Sequence, residues 1–287
     1  MNKQEIIILW KQFWIQRDNV ERIIQKITGL SKKDLFLQEE ISISDIDMEK
    51  ITQYFKKLNF GYPLEYVLES AEFYWLDLYV DKRCLIPRDD TEVMVDNALK
   101  IIDTLEWKIL YIDVWTWSWA IASSILSNTK DLWKTSLWLD ISDDALDVAI
   151  ININDYKLEG KIALFKSDLL SAVIDKKLYT DTDSIVITAN LPYIKDEDYW
   201  NMDKEVILHE PSIALYWWKN TWFEMYERLI WEVQTIKKLW NIAKVIVFIE
   251  IGFDQKEVAQ NFLDKQKLLY KIHCDNSWVD RCVEISI

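Results

Sequence analysis

Glycine is scarce in this 287-residue sequence, which contains only 4 glycines but 16 tryptophans. An ordinary soluble chain of this length contains about 20 glycines, the number that the two residue types reach here together. Several tryptophans stand where a glycine would be ordinary: Trp75, Trp138, Trp217, Trp218 and Trp278. We therefore hypothesise that many of the tryptophans are glycines encoded by UGA, a codon that some bacterial lineages read as glycine and a common alternative code reads as tryptophan.

Cysteine and histidine are also scarce, and this excludes several kinds of site. Cys84, Cys274 and Cys282 are odd in number and lack paired metal-ligand spacing, so neither a disulfide framework nor a zinc site is indicated. His209 and His273 are the only histidines, and neither lies in metal or catalytic-triad spacing. We expect no metal, and we expect structural roles for both histidines.

Long apolar runs and excess basic charge are missing as well. No run reaches membrane-spanning length, and the segment 1–10 is too short and too poorly flanked for a signal peptide. The formal net charge is −14, whereas proteins that grip nucleic acids gain most of their affinity from basic residues. These absences predict a cytoplasmic protein, without membrane or direct nucleic-acid binding, and we expect a monomer.

Two periodicities divide the chain. Up to about residue 70 apolar residues recur at helical spacing, as Val20, Ile23, Ile24 and Ile27 do, which predicts a small helical bundle. From about residue 73, short strand-like runs such as FYWLDLYV alternate with helical stretches, and the last two runs form a pair. This alternation predicts an α/β fold with a mostly parallel sheet and helices on both faces.

Four successive predicted strands end in polar residues: Asp113, Asp140, Asp168 and Asn190. Ligands of parallel sheets bind at the carboxyl ends of the strands, so these ends predict a site. The loop after Asp113 reads DVWTWSWAIA, and with glycine restored it becomes DVGTGSGAIA, whose bare backbone could lie against a ligand.

The strand ends also suggest individual roles. We expect Asp113 to fix the loop and a nearby ammonium group, and Asp140 to bond ribose hydroxyls. Asp168 is placed for an adenine amino group, with Leu169 packed beside the ring. The alternative is that these aspartates only cap the helices that follow them.

Three stretches now resemble a known family. LIPRDDTEVMVD from Leu85 is similar to an IPRPDTE segment, DVWTWSWAIA to a DLGTGSGAIA loop, and NLPYI from Asn190 to an NPPYI motif. EPSIALYWW and FIEIGFDQ are weaker matches, to EPxxALxGG and LEIGxxQ. All belong to the HemK/PrmC family of protein-(glutamine-N5) methyltransferases, within the class I S-adenosylmethionine methyltransferases.

The resemblance implies a fold, a reaction and a partner. It implies a Rossmann-like methyltransferase sheet with an antiparallel C-terminal hairpin over 96–287, a β-rich linker with the IPR motif over 73–95, and a helical substrate-recognition domain over 1–72. The implied reaction moves a methyl group from S-adenosyl-L-methionine to the amide nitrogen of a protein glutamine. The implied substrate is the GGQ motif of peptide-chain release factors.

The resemblance also assigns residues. Asn190 and the backbone at Leu191 would accept the N–H groups of the substrate amide, Pro192 would fix the chain direction, and Tyr193 would form a wall for the planar amide. The loop positions Trp115, Trp117 and Trp119 would bind the cofactor, together with Asp113, Asp140, Asp168 and Leu169. Arg88, Glu92 and Phe73 would lie near the site, although an Arg88–Glu92 surface ion pair fits equally well and a core role is favoured for Phe73.

Two departures leave alternatives open. The family usually has proline where this chain has Leu191, and NLPY also occurs in adenine-N6 methyltransferases of rRNA and DNA. Taken literally, Trp115, Trp117 and Trp119 would place indoles where the cofactor should lie. A chain made with those residues should bind no cofactor and would then be a non-catalytic binding protein.

Overall fold

The computed structural model describes residues 13–37, 43–105, 108–129, 136–178, 182–195, 202–215 and 223–287. The helices are α1 Arg17–Thr28, α2 Lys32–Leu37, α3 Asp45–Asn59, α4 Leu64–Leu68, α5 Glu92–Ile102, α6 Ala120–Asn128, α7 Asp143–Asp155, α8 Ser171–Asp175, α9 Lys204–His209, α10 Ser212–Leu215, α11 Glu224–Trp240 and α12 Lys256–Lys265. The strands are β1 Ala71–Phe73, β2 Leu76–Leu78, β3 Ile109–Val114, β4 Ser136–Asp140, β5 Ile162–Lys166, β6 Ser184–Ala189, β7 Lys244–Glu250, β8 Leu269–Cys274 and β9 Asp280–Ser286.

The chain divides into two compact units. The first contains the described residues up to Ala71 and the segment Asp203–His209, and the second contains Glu72–Met202 and Glu210–Ile287. The first unit is helical because α1 and α3 each place apolar side chains, such as Ile23 and Phe55, on one buried face. The domain boundaries expected from the sequence remain a prediction.

The second unit contains a seven-stranded sheet with the order β5-β4-β3-β6-β7-β9-β8. The first five strands of that order pair in parallel, and β9 pairs antiparallel with both β7 and β8. The predicted Rossmann-like fold with an antiparallel C-terminal hairpin is therefore confirmed. The chain order reverses beside β3, and ligands of such sheets bind at this switch point.

Both faces of the sheet are covered. Successive side chains of β3 point to opposite faces, so that Ile112 packs in one apolar cluster with α11, and Tyr111 packs in another with α5 and α6. This burial on both faces explains why the central strands read as continuous apolar runs.

The stretch FYWLDLYV forms a hairpin, and the prediction of one strand is wrong. β1 ends at Phe73, β2 begins at Leu76, and the two turn residues have positive φ, 45° at Tyr74 and 69° at Trp75. Positive φ at both turn residues is typical of the type I′ turn, whose second position strongly prefers glycine. With tryptophan at this position the sequence lost the signal that marks the turn.

We predict that Trp75→Gly and Trp278→Gly each stabilise the chain by about 1 kcal/mol. Both tryptophans have left-handed backbone, with φ of 69° and 63°, and their side chains are 98% and 89% exposed. Glycine relieves a strain of roughly 1–2 kcal/mol, less its greater entropy in the unfolded chain, and loses almost no packing. Urea unfolding of the full chain measures the change.

The matched control is Trp231→Gly in the middle of α11, where the side chain is 51% exposed. Helical backbone favours tryptophan over glycine by roughly 0.5 kcal/mol, so this variant should be less stable. Equal destabilisation by all three substitutions would contradict the assignment of strain to Trp75 and Trp278.

Candidate functional site

The loop between β3 and α6 has the backbone of a glycine loop. Trp115, Trp117 and Trp119 have φ of 66°, 48° and 80°, in the left-handed region that disfavours L-residues by roughly 1–2 kcal/mol each. The backbone N–H of Trp115 donates to the Leu139 carbonyl (2.7 Å), and that of Trp119 donates to the Thr116 carbonyl (2.6 Å). The loop is therefore folded tightly against the end of β4.

Asp140 ties this loop to the next strand. Its carboxylate accepts the backbone N–H of Trp117 (3.0 Å) and that of Ser142 (2.8 Å). Burial raises the pKa of Asp140 to about 7, and these backbone hydrogen bonds act in the opposite direction. Its expected contact with ribose remains a prediction, although the structure places it beside the loop.

Asp113 is a second buried carboxylate under the loop. It accepts the hydroxyl hydrogens of Thr116 and Thr188, both at 2.5 Å. Burial raises the pKa of Asp113 to about 6, and the hydroxyl groups oppose the rise. The contact with Thr116 ties Asp113 to the loop, and these hydroxyl partners are neutral.

Asp168 lies beyond the end of β5 and is half-exposed. Its carboxylate is paired with Arg228, whose Nη1 lies 3.0 and 2.9 Å from the two oxygens. Glu232 accepts from Arg228 (2.8 Å) and from the backbone N–H of Leu170 (2.9 Å), next to the buried Leu169. Arg228 and Glu232 are not among the residues predicted from the sequence, although their spacing of four residues on a helix is a usable signal.

The segment Asn190–Tyr193 follows β6 directly, at the same edge of the sheet. Asn190 is 8% exposed, and its side-chain amide makes no hydrogen bond to the part of the chain that the structure describes. Its backbone carbonyl accepts the indole N–H of Trp117 (2.9 Å). The Tyr193 hydroxyl donates to Glu250 at the end of β7 (3.1 Å).

The residues of the IPR segment have partners of their own. Arg88 lies 2.5 Å from the buried carboxylate of Glu210, which corrects the alternative of an ion pair with Glu92. Glu92 instead accepts the backbone N–H of Tyr74 (2.9 Å), because it begins α5 beside the β1–β2 turn. Phe73 is 2% exposed and lies in the core.

The cofactor that the resemblance implies can be tested against these residues. The backbone of the loop suits it, but the side chains do not, because buried indoles fill this region. Trp115 and Trp117 share an apolar cluster with Leu169 and Leu191, and Trp119 packs against Trp138 at a ring distance of 4.2 Å. The residues as printed therefore do not fit S-adenosylmethionine.

Two features mark described tryptophans that fit their positions poorly: a positive φ and a buried indole N–H without an acceptor. Six have positive φ: Trp14, Trp75, Trp115, Trp117, Trp119 and Trp278. Trp119 and Trp138 bury their indole N–H without an acceptor in the described residues, although a buried indole usually finds one. Trp217 and Trp218 lie outside the described residues. We call the full chain with glycine at the six positive-φ positions the glycine form.

The sequence led us to expect neither a membrane-spanning segment nor a metal site. None of the described helices is long and apolar enough to cross a membrane. Within the described ranges, no group of three or more histidine, cysteine, aspartate or glutamate side chains could hold a metal ion. His209 packs against the Tyr62 ring, with centroids 4.1 Å apart, and His273 contacts Glu284 at 3.0 Å.

Comparison with known proteins gives a consistent group of relatives. No model of a protein family matches the chain. The release factor glutamine methyltransferase of Lactococcus lactis is 32% identical over 93% of this chain and 92% of its own length. The protein of the same name from Enterococcus faecalis is 32% identical over 88% of this chain and 86% of its own length. That from Clostridium acetobutylicum is 32% identical over 77% of this chain and 75% of its own length.

Solved structures show the same fold. The hMettl16 catalytic domain in complex with MAT2A 3′UTR hairpin 1 has a TM-score of 0.56 and 12% identity, covering 93% of this chain and 88% of its own. The same domain in complex with hairpin 6 has a TM-score of 0.52 and 14% identity, covering 83% and 81%. At this identity the likeness shows a Rossmann-like methyltransferase fold alone.

Proposed function

The chain belongs to the release factor glutamine methyltransferase family, and we propose that it methylates the N5 amide nitrogen of the glutamine in the GGQ motif of peptide-chain release factors. Members of the family are S-adenosylmethionine-dependent protein-glutamine methyltransferases. The proposed enzyme is a cytoplasmic monomer that does not bind nucleic acid, in keeping with its net charge of −14.

One observation carries the proposal. Asn190 is almost buried at the carboxyl edge of the sheet, and its side-chain amide has no partner among the described residues. A side-chain amide that follows β6 directly is placed at the edge of the sheet where ligands of parallel sheets bind. Its oxygen can accept one N–H of a substrate amide.

The chemistry asks little of this chain beyond orientation. A glutamine nitrogen is a poor nucleophile because its lone pair is delocalised into the carbonyl. Holding the amide in one orientation contributes to the rate by making the reaction effectively unimolecular. Asn190 and the backbone at Leu191 would hold the N–H groups, Pro192 would restrict the chain direction, and Tyr193 would flank the plane of the amide. The cofactor supplies the methyl group, and no histidine is needed as a general base.

We expect the glycine form to transfer labelled methyl groups to a release factor and not to a release factor whose GGQ glutamine is alanine. Mass spectrometry of the labelled peptide identifies the modified atom. An rRNA fragment serves as the third substrate, because the NLPY sequence is shared with adenine-N6 methyltransferases. Equal labelling of the two release factors would exclude the glutamine, and labelling of the RNA alone would favour the adenine alternative.

A further inference from the structure

Two buried carboxylates on neighbouring strands hold the β3–α6 loop. Asp113 lies near the end of β3 and Asp140 ends β4, which pairs with β3 in parallel, and each residue is 1% exposed. Asp113 accepts the hydroxyl hydrogen of Thr116 (2.5 Å), and Asp140 accepts the backbone N–H of Trp117 (3.0 Å). The position of the loop therefore depends on both carboxyl groups.

The immediate surroundings of this pair contain no compensating cation. Within the described residues, no lysine, arginine or histidine pairs with either carboxylate. The strands β3, β4 and β6, the loop 115–119 and helix α6 contain no other charged residue. The remaining titratable group on these elements is Tyr111, whose hydroxyl contacts that of Thr188 (2.7 Å). A buried charge without a counter-ion is costly, so two of them together are unfavourable.

The charged side chains of the nearby helices α5 and α7 lie elsewhere. Glu92 on α5 is partly buried, and its carboxylate accepts the backbone N–H of Tyr74 (2.9 Å). All the other charged residues of these two helices are exposed: Asp96, Lys100, Asp143, Asp144, Asp147 and Asp155.

The hydrogen-bonding partners of the two carboxylates differ in kind. Asp140 accepts a backbone N–H at each of its two oxygens, and such groups can only donate. A proton on either oxygen would therefore meet another hydrogen. Asp113 is instead bonded to the hydroxyls of Thr116 and Thr188, which can donate or accept. Asp113 is the member of the pair whose partners suit a neutral carboxyl group.

The electrostatics of the pair favour one retained proton. Burial raises the pKa of both carboxyl groups, to about 6 for Asp113 and about 7 for Asp140. The charge of Asp113 is a further cause of the raised pKa of Asp140. Groups coupled in this way titrate as a pair, and the proton resides where a partner can accept it.

We propose that the β3–α6 loop is a pH-sensitive element, in which Asp113 and Asp140 share one proton that is held on Asp113. Loss of this proton leaves two buried charges under the loop, and the loop loosens. The proposal rests on the contacts of the loop and is independent of the proposed function.

The direction of the pH effect follows from the raised pKa values. The folded chain binds protons more tightly than the unfolded chain, whose aspartates have a pKa of about 3.9. The stabilisation is therefore complete below the unfolded value and is lost as the pH rises through the folded values, which are about 6 and about 7. The loop should be more firmly held at pH 6 than at pH 8.

The first test follows the backbone amide of Trp117 in the unmodified chain by NMR with 15N-labelled tryptophan. This amide donates to Asp140, so its chemical shift should change with an apparent midpoint between about pH 5 and pH 8. Asp113→Asn keeps the shape of a neutral carboxyl group, and we expect the midpoint to fall by at least about one pH unit because the like charge is gone. A midpoint below about pH 5 in the unmodified chain, or an unchanged midpoint in Asp113→Asn, would overturn the proposal.

The second test measures how firmly the loop is held. We expect hydrogen exchange of the Trp117 and Trp119 amides, corrected for its intrinsic rise with pH, to accelerate at least about tenfold between pH 6 and pH 8. In Asp113→Asn the corrected rates should change less than about twofold. The same acceleration in both chains would show that the loop does not respond to this proton.

Two further variants serve as a reversed case and a control. The Thr116 hydroxyl favours the ionised form of Asp113, so Thr116→Val should raise the midpoint, in the direction opposite to Asp113→Asn. Asp143 is an exposed carboxylate at the start of α7, and Asp143→Asn should leave the midpoint unchanged. A fall in Thr116→Val, or an equal shift in Asp143→Asn and Asp113→Asn, would contradict a proton held on Asp113.

Discussion

We expect the glycine form to bind S-adenosylmethionine and the chain with tryptophan at all six positions, the printed chain, not to bind it. This is the largest effect that we predict. Trp115, Trp117 and Trp119 have left-handed backbone and buried indoles; that of Trp117 donates to the Asn190 carbonyl, and that of Trp119 packs against Trp138. Replacing the three indoles by glycine vacates that volume and removes three strained residues. The backbone path and its contact with Asp140 need not change.

Isothermal titration calorimetry measures this difference. We expect the affinity of the glycine form to exceed that of the printed chain at least about 100-fold, which corresponds to roughly 3 kcal/mol. Trp231→Gly, outside the loop, serves as the control and should not create binding. Tight binding by the printed chain would refute the blocked site, and a folded glycine form without binding would refute the loop assignment.

The codons test the same hypothesis independently. UGA should encode the six tryptophans with positive φ, and mass spectrometry of the native protein should find glycine there. UGG codons at Trp115, Trp117 and Trp119 would end the hypothesis, and the chain would then be a relative that has lost its cofactor loop.

Asn190→Ala should have the second largest effect. In the glycine form we expect kcat for a release factor to fall about 100- to 1,000-fold, as when one preorganised hydrogen-bonding group is removed from an active site. The Kd for S-adenosylmethionine should stay the same, because the side chain of Asn190 is assigned to the substrate amide. Single-turnover methylation with saturating cofactor measures the change.

The matched control for this prediction is Asn128→Ala. Asn128 is exposed, and its amide donates to the Ser124 carbonyl at the end of α6 (2.9 Å), so its loss should affect stability alone. Unchanged methylation in Asn190→Ala, or a loss that Asn128→Ala reproduces, would contradict the role of Asn190.

The fold class could be predicted from the spacing of apolar residues, because this spacing is a property of the local sequence. β3, β4, β6 and β7 are short apolar runs since they are buried on both faces, and the spacing of Ile23 and Ile27 reports one helical face. The polar residues at the strand ends could also be predicted to lie together, since every parallel strand places its last residues at the same edge of the sheet. The exception was the β1–β2 turn, whose glycine signal was replaced by Trp75.

The contacts around the site could not be read in this way. The Tyr226 hydroxyl accepts the Leu191 N–H across 35 positions and Glu250 accepts from Tyr193 across 57, and nothing in either local pattern distinguishes Tyr226 and Glu250 from core residues. Arg228 reaches Asp168 across 60 positions. Such pairs form only when β7 lies beside β6 and α11 packs on the sheet.

The local sequence determined the strands, the helices and the polar side chains at the edge of the sheet, because apolar residues recur with the period of each element. The composition alone showed the shortage of glycine. The tertiary structure decided which tryptophans are strained, because φ is a property of the folded backbone and not of composition. It decided as well which buried hydroxyl and carboxylate contact the Asn190–Tyr193 segment, because only packing brings distant side chains within hydrogen-bonding distance.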